Sequence, residues 1–455
     1  MSTLKMRRGC LPYKESFIQV DIFLKDGKIA ALGELEDLPA DTELDLEGLI
    51  VLPGAIDPHV HFDDPGFTWR EDFQTGTASA ARGGITTVID MPETSIPNCR
   101  TPEGLLSKLS QIEKKALVDF ALWGGVTGEE VRDGSFKEKM QALATLGVVG
   151  FKVYTISGMP TYPRVTYGEM RLIMKEAARL GVPVAVHAED FDVVTQATEE
   201  IKKRGKGTFL DYLASRPAVS EHLAIACAVF LSQDTGARVH IVHVSTGMGV
   251  EIVAEAKNRG ILITCETCPH YLLLTSEDFH RLGTVIKTTP PVRERWDQEK
   301  LWEGLKYGVV DFVSTDHASC EYPREKEVDD FFEAYAGIPG CQTMLPLIWE
   351  EGYVKGRLSL SRTLEVTGGK AARLYGLYPQ KGSLEIGADA DLVILNPNDH
   401  YTIRAQDFAS KGKYTPFEGR RISTRIKKVM LRGKIIYSEE DGTSLENHGT
   451  WIKRR

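Results

Sequence analysis

The stretch LIVLPGAIDPHVHFDDPG, residues 49–66, places an apolar run directly ahead of two histidines spaced two apart. Leu49 to Leu52 and Ala55-Ile56 have the composition of a short buried strand, and in a strand positions i and i+2 share a face. His59 and His61 therefore point together at the strand's end. Two imidazoles facing one space are a candidate metal site, although an HxH taken alone is more often incidental.

Upstream of this strand the pattern is different. FIQVDIFLKDGKIAALG (17–33) alternates apolar and polar residues around the turn Lys25-Asp26-Gly27-Lys28, which is a hairpin signal. Downstream, short apolar runs recur: GITTVIDM, VDFALWGG, GVVGFKVYT, VPVAVHAED, RVHIVHVS, ILITCETC and VVDFVSTDH. Between them lie amphipathic segments such as EGLLSKLSQIEKKA and YGEMRLIMKEAARL. Alternation of this kind argues for a parallel sheet, and the number of runs predicts a (β/α)8 barrel of the TIM type. After residue 383 the β signals return in GSLEIGADADLVILNP and IKKVMLRGKIIYSEEDG. The expected organisation is α/β: residues 1–53 and 384–455 pair into a small discontinuous β-sandwich domain, the latter ending in a tail, and residues 54–383 form the barrel.

Bulk composition narrows the function. With Lys+Arg 55 against Asp+Glu 64 and a pI near 5.8, nothing favours nucleic acid or an anionic membrane as partner. A small molecule fits better. Seven scattered cysteines are no disulfide framework and suggest reduced cytosol. The basic N-terminal residues have no apolar core behind them, and no stretch reaches the roughly 18 apolar residues of a membrane span. The expectation is a soluble cytoplasmic protein.

In a parallel barrel, functional side chains gather where strands end at the C-terminal face. The strand ends supply His59, His61, Lys152, His187, His243 and Asp316. Neutral imidazoles and carboxylates suit zinc, iron, cobalt or manganese, and a catalytic site keeps one position open for water. An ammonium beside two cations would be repelled, so Lys152 should either lose its proton or carry a modification that makes it anionic. Taken singly, each group has an ordinary explanation: a satisfied core histidine, a helix N-cap for Asp316, a snorkelling lysine. The ordered set is far more specific than its members.

DPHVHFDDPG, GGITTVIDMP, GFKVYT, VHAED, IVHVST, TCETCPHY, STDHAS and GSLEIGADADLVIL resemble, in order and spacing, the cyclic amidohydrolases: the allantoinases, dihydroorotases and hydantoinases. The resemblance covers nearly the whole chain. It implies a binuclear centre in which His59 and His61 hold the more buried metal and His187 and His243 the other. Carboxylated Lys152 bridges the two, and Asp316 completes the site and serves as the catalytic base and acid. A hydroxide bridging two divalent metals, zinc foremost, would open the ring amide, because metals lower the pKa of bound water from about 15.7 to about 7.

The substrate-binding positions bear on which ring is opened. Dihydroorotases carry an arginine where this chain has Asp63 and an asparagine where it has Glu93, and two acidic groups there would repel a carboxylated substrate. Hydantoinases share the aspartate at Asp63 but place a tyrosine where this chain has Ser157. Allantoinases resemble it best over ITCETCPHYLLLTSEDFHRLGTVIKTTPPVRE, DFFEAYAGIPGCQTMLPL and GRRISTRIKKVMLRGKIIY. Allantoin is a neutral hydantoin ring with a ureido group, which suits a pocket lacking that arginine, and Asp63 and Glu93 are expected to accept its N–H bonds. Thr289, Gly337 and His317 complete the expected substrate contacts, with a turn for Thr289 and a hydrogen bond behind the ligands for His317 as the equal alternatives.

Cys265-Glu-Thr-Cys268 is a CxxC on an expected barrel strand and reads as core. Residues 157–164, SGMPTYPR, form either a lid or a static loop. Related enzymes suggest a homodimer or homotetramer. A non-catalytic scaffold would have lost a ligand, and all six metal positions are filled here.

Overall fold

The computed structural model describes residues 3–205 and 207–454. Eight parallel strand positions, each starting from one of the apolar runs, close into a barrel. Ala55–His61, Ile85–Asp90 and Asp119–Leu122 pair in sequence order. Phe151–Tyr154, Val184–His187, Val239–Ile241, Ile263–Thr267 and Phe312–Val313 follow in the same way. Two strands switch neighbours along their length. After Trp123 the third continues as Gly124–Gly125 beside the fourth, and the eighth continues as His317–Ala318 beside the first, with Ala318 opposite His61. The last strand end is thereby brought against the first.

Helices from the amphipathic segments ring the barrel. Tyr167–Leu180 starts from a capping box in which Thr166 and Glu169 satisfy each other's backbone N–H, and it stops at Gly181 in the left-handed conformation (φ 70°). Inside the barrel, Ile56, Ile89, Met91, Trp123, Val149, Val242, Phe312 and Tyr375 form one packed cluster. The barrel is thus a packed core with one open face.

The two chain ends build a nine-stranded sheet with a core of its own that includes Met6, Ile22, Leu24, Val51, Leu392, Ile394 and Met430. The ends meet where Ile50–Pro53 runs antiparallel to Leu392–Asn396. Since Pro53 ends one strand and Ala55 begins the first barrel strand, the sheet anchors the root of the HxH strand. A buried ion cluster adds to this: Lys381 Nζ contacts Asp389 at 3.0 Å, Asp391 at 2.7 Å and Asp119 on the third barrel strand.

Parts of the C-terminal span also pack on the barrel. Phe408, Tyr414 and Phe417 bury against the barrel, Ser410 Oγ donates to Glu71, and Thr450 N donates to Asp119 Oδ1 at 2.8 Å. Apolar side chains in these segments are the physical reason they return to the barrel.

Candidate active site

The six expected ligands converge at the open face. His61 Nε2 is 3.0 Å from Asp316 Oδ1 and 3.2 Å from His59 Nε2. Each of these three residues offers a ligand atom within 4.8 Å of the others. His187 Nδ1 lies 2.9 Å from His243 Nε2, and the rings of His59 and His243 are 5.5 Å apart. Lys152 is fully buried, and its charge bears on His59, His187 and His243 alike. Asp63, His243 and Asp316 all have positive φ (53°, 40° and 49°), which is uncommon for residues with a Cβ and concentrates at functional sites.

Carboxylates behind the histidines fix their orientation, and sequence reading missed these. Glu266 pairs with His59 Nδ1 through one oxygen and with His240 Nε2 at 3.1 Å through the other. Glu189 Oε2 is 2.9 Å from His187 Nε2 and also binds Arg216. Asp57 accepts from the backbone N–H groups of His59 and Thr315, tying the first strand to the turn that carries Asp316. The signals were a glutamate inside the apolar strand ILITCETC and, in VHAED, a glutamate two positions after the histidine.

The electrostatics fit a cation. Burial lowers His59 and His187 and takes His243 well below the ordinary histidine range, so these rings are neutral and able to ligate. His61 goes the other way: against the cost of burial, Glu93 and Asp316 raise it to about 10. A place that holds an imidazolium between two carboxylates suits a metal ion. Burial lowers Lys152, against the attraction of Glu93 and Asp316. Its Nζ has no hydrogen-bond partner among the described residues, nor do His243 Nδ1, Asp63 Oδ2 and Glu93 Oε2. Buried polar atoms are rarely left unpaired, so this concentration marks a site built to bind something.

A cavity of about 350 Å³ opens over these groups, lined by Asp63, Phe67, Arg70, Glu93, Tyr154, Met159, Arg216, Thr289, Tyr335 and Gly337 among others. Asp63 and Glu93 lie on its wall, but differently. Glu93 is engaged by His61 Nδ1 at 3.1 Å and by the Tyr154 hydroxyl, so it is occupied in orienting a candidate ligand. Burial pushes the Asp63 carboxyl well above the ordinary range, while His61 and Arg70 pull it down. Thr289 Oγ1 meets the Tyr212 hydroxyl at 2.9 Å. Gly337 packs so closely that a Cβ would lie 2.6 Å from Ala318 O.

Of the two roles left open for His317, substrate contact or a hydrogen bond behind the ligands, the geometry favours the second: its Nε2 is 3.1 Å from Glu71, its Nδ1 accepts from Cys341 N, and it is fully buried and off the cavity wall. Asp316 sits in a left-handed turn (φ 49°) just ahead of the short strand His317–Ala318, and the Glu71 carboxylate holds the His317 ring away from the cavity. Arg70 and Arg216 also line the pocket, from outside the quoted motifs. Each is paired with a glutamate, Glu325 and Glu189 respectively. Cys265 and Cys268 are unpaired and buried in the barrel core. In the 157–164 loop, Gly158 and Met159 face the cavity while buried Tyr162 donates to Lys152 O at 2.7 Å.

A barrel whose first and last strand ends join histidines to an aspartate, with buried lysine and further histidines beside them, defines a metal-dependent hydrolase. The chain belongs to the amidohydrolase family, whose pattern matches residues 50–436. It is 41% identical to an allantoinase of Rubrobacter xylanophilus over 92% of this chain and 90% of that protein. An allantoinase of Escherichia coli O1:K1 / APEC is 36% identical, over 99% and 98%. Among solved structures, the L-hydantoinase (dihydropyrimidinase) from Arthrobacter aurescens superposes with a TM-score of 0.94 at 34% identity, covering all of both chains. The dihydropyrimidinase from Brevibacillus agri gives 0.93 at 29% identity, covering 99% of this chain and 98% of that one.

Proposed function

We propose that this enzyme hydrolyses the ring amide of allantoin to give allantoate. The observation that carries the reading is the convergence of His59, His61 and Asp316 on one point, in a chain alike along nearly its whole length to proteins named allantoinase. Two divalent cations, zinc foremost, would be held by His59, His61, His187, His243, Asp316 and a carboxylated Lys152. Iron, cobalt and manganese suit the same donors. Carboxylation agrees with the buried, unpartnered Nζ, because a carbamate replaces an ammonium whose burial is costly with an anion that cations can satisfy. When bound, the metals supply an activated water and a Lewis-acid contact for the ring carbonyl.

The chain's own residues do the rest. Asp316 is held below the ordinary carboxylate range by His59 and His61 despite burial, so it is ionised at neutral pH. It can accept the proton of the attacking water and deliver it to the departing ring nitrogen. Thr289 and the backbone of Gly337 lie where they can hold the ring, and Phe67, Met159 and Tyr335 restrict water. The small-molecule site is part of a cytoplasmic enzyme in this reading, supported by seven unpaired cysteines. Self-association as a homodimer or homotetramer belongs to the same proposal. Val219, Leu223 and Phe230, exposed along one face of the helix Ala218–Thr235, support it.

A second reading, hydrolysis of hydantoin or dihydropyrimidine rings, is favoured by the structural likeness to L-hydantoinase. Dihydroorotate fits less well, because the unpartnered Asp63 carboxyl opposes a carboxylated ring. Rates on allantoin, hydantoin, dihydrouracil and dihydroorotate with metal-loaded protein decide among these. Preferential turnover of allantoin supports the proposal, and preference for another ring replaces it.

A further inference from the structure

Residues 319–337 form neither helix nor strand, yet they deliver Tyr335, Ala336 and Gly337 to the cavity wall. Outside a regular ladder, a buried peptide group is held only by the partners that the rest of the chain supplies. Gly337 has one on each side. Its N–H donates to Lys287 O at 3.0 Å, and its C=O accepts from the Tyr414 hydroxyl at 3.1 Å. Tyr414 is 3% exposed and lies 77 residues further along, beyond the strand Leu392–Asn396. Its hydroxyl also reaches Ala318 O at 3.3 Å, on the eighth barrel position. The ring is held from two directions: it stacks on Tyr322 at 5.4 Å between centroids, and Lys326 Nζ stands 5.3 Å from its centre.

The segment that carries Tyr414 is itself pinned nearby. Gly412 N donates to Ser319 Oγ at 2.9 Å, Ser410 Oγ donates to Glu71, and Lys411 Nζ lies 2.6 Å from Asp72. Residues 410–414 thus form a strap joining the loop that carries Phe67 and Arg70, the end of the eighth barrel position and Gly337. Among the described residues, no hydrogen bond of the strap reaches the four site histidines, Lys152 or Asp316. A carbonyl oxygen has two lone pairs, so the Tyr414 bond fixes the Gly337 C=O and leaves one acceptor position for a ring N–H. Building on the proposed ring hydrolysis, we infer that Tyr414 is a positioning residue: its hydroxyl sets the Gly337 backbone that holds the ring, and so governs binding of the ring rather than its cleavage.

The test measures kcat and KM on the ring amide that metal-loaded wild type turns over fastest, with bound metal determined for each variant so that kcat refers to loaded protein. Tyr414→Phe keeps the ring and removes only the hydroxyl. KM should rise about 5- to 30-fold with kcat within about twofold of wild type, the pattern of lost uniform binding. Ser319→Ala frees Gly412 N without touching Gly337 and should raise KM about 2- to 5-fold. Because Ser319 acts through Tyr414, the double variant should have the KM of Tyr414→Phe alone, whereas independent structural losses add. A KM for Tyr414→Phe within about twofold of wild type, a fall in kcat as large as the rise in KM, or additive effects in the double variant overturns the positioning role while leaving ring hydrolysis intact. If Tyr414→Phe does not fold, Ser319→Ala decides alone: a KM rise at constant kcat supports the role, and an unchanged KM overturns it. Absence of turnover by wild type on every ring overturns the proposed function and the positioning role with it.

Discussion

His61 Nε2 and Asp316 Oδ1 lie 3.0 Å apart although 255 residues separate them in the chain. The contact exists because the eighth barrel position continues as His317–Ala318 beside the first strand, closing the barrel at the end that carries the histidines. Asp316→Asn keeps an oxygen ligand but removes the base. We expect bound metal to persist and kcat to fall about 10²- to 10⁴-fold. Metal analysis and steady-state rates on one sample check this, and wild-type turnover would remove Asp316 from the proton-transfer role.

Lys152→Ala removes a fully buried amine whose charge bears on His59, His187 and His243. Turnover should be nearly abolished, with partial recovery on adding short carboxylic acids that can stand in for the carbamate. Full activity without them contradicts a bridging role.

Glu266 touches both His59 and His240, so Glu266→Gln should loosen the ring that it orients. Metal affinity should fall by about 10- to 100-fold, as for other residues that support a ligand from behind. Competition with a chelator measures it. Unchanged affinity would mean that packing alone orients His59.

Lys326 is fully buried, with its Nζ on the carbonyls of Thr284 and Lys287, and burial lowers it to about 7 from an ordinary 10.5. Between those values the unfolded chain binds a proton that the folded chain does not, so stability contributed here rises with pH across that window. It is lost as pH falls toward 7. The slope is up to about 1.4 kcal/mol per pH unit. Denaturant unfolding of wild type and Lys326→Met at several pH values between 7 and 10 should show wild type gaining on the variant as pH rises. Parallel curves would show that Lys326 is charged in the folded protein.

Much of this was legible in the sequence, for identifiable reasons. The barrel strands are short apolar runs, most of them followed by an amphipathic helix, so strand ends, and the chemical groups upon them, could be placed from local pattern. The alternating arms predicted the terminal sheet. Arg70 and Arg216 were not legible because they reach the cavity from loops, whose course depends on tertiary packing. Asp63 and Glu93 looked equivalent in sequence, and only the positions of His61 and Tyr154 distinguish them. His317 stayed between two roles because its neighbour Asp316 faces the cavity, and only the tertiary position of Glu71, which holds its ring, decides between them.

The most direct test is to strip metal from the protein and follow allantoin hydrolysis as metal ion is returned stepwise, with bound metal measured at each point. Activity that is absent in the stripped protein and rises to saturation as the chain fills with two ions is the predicted result. Undiminished hydrolysis by stripped protein, or none on any ring amide with both ions bound, would contradict a binuclear ring hydrolase.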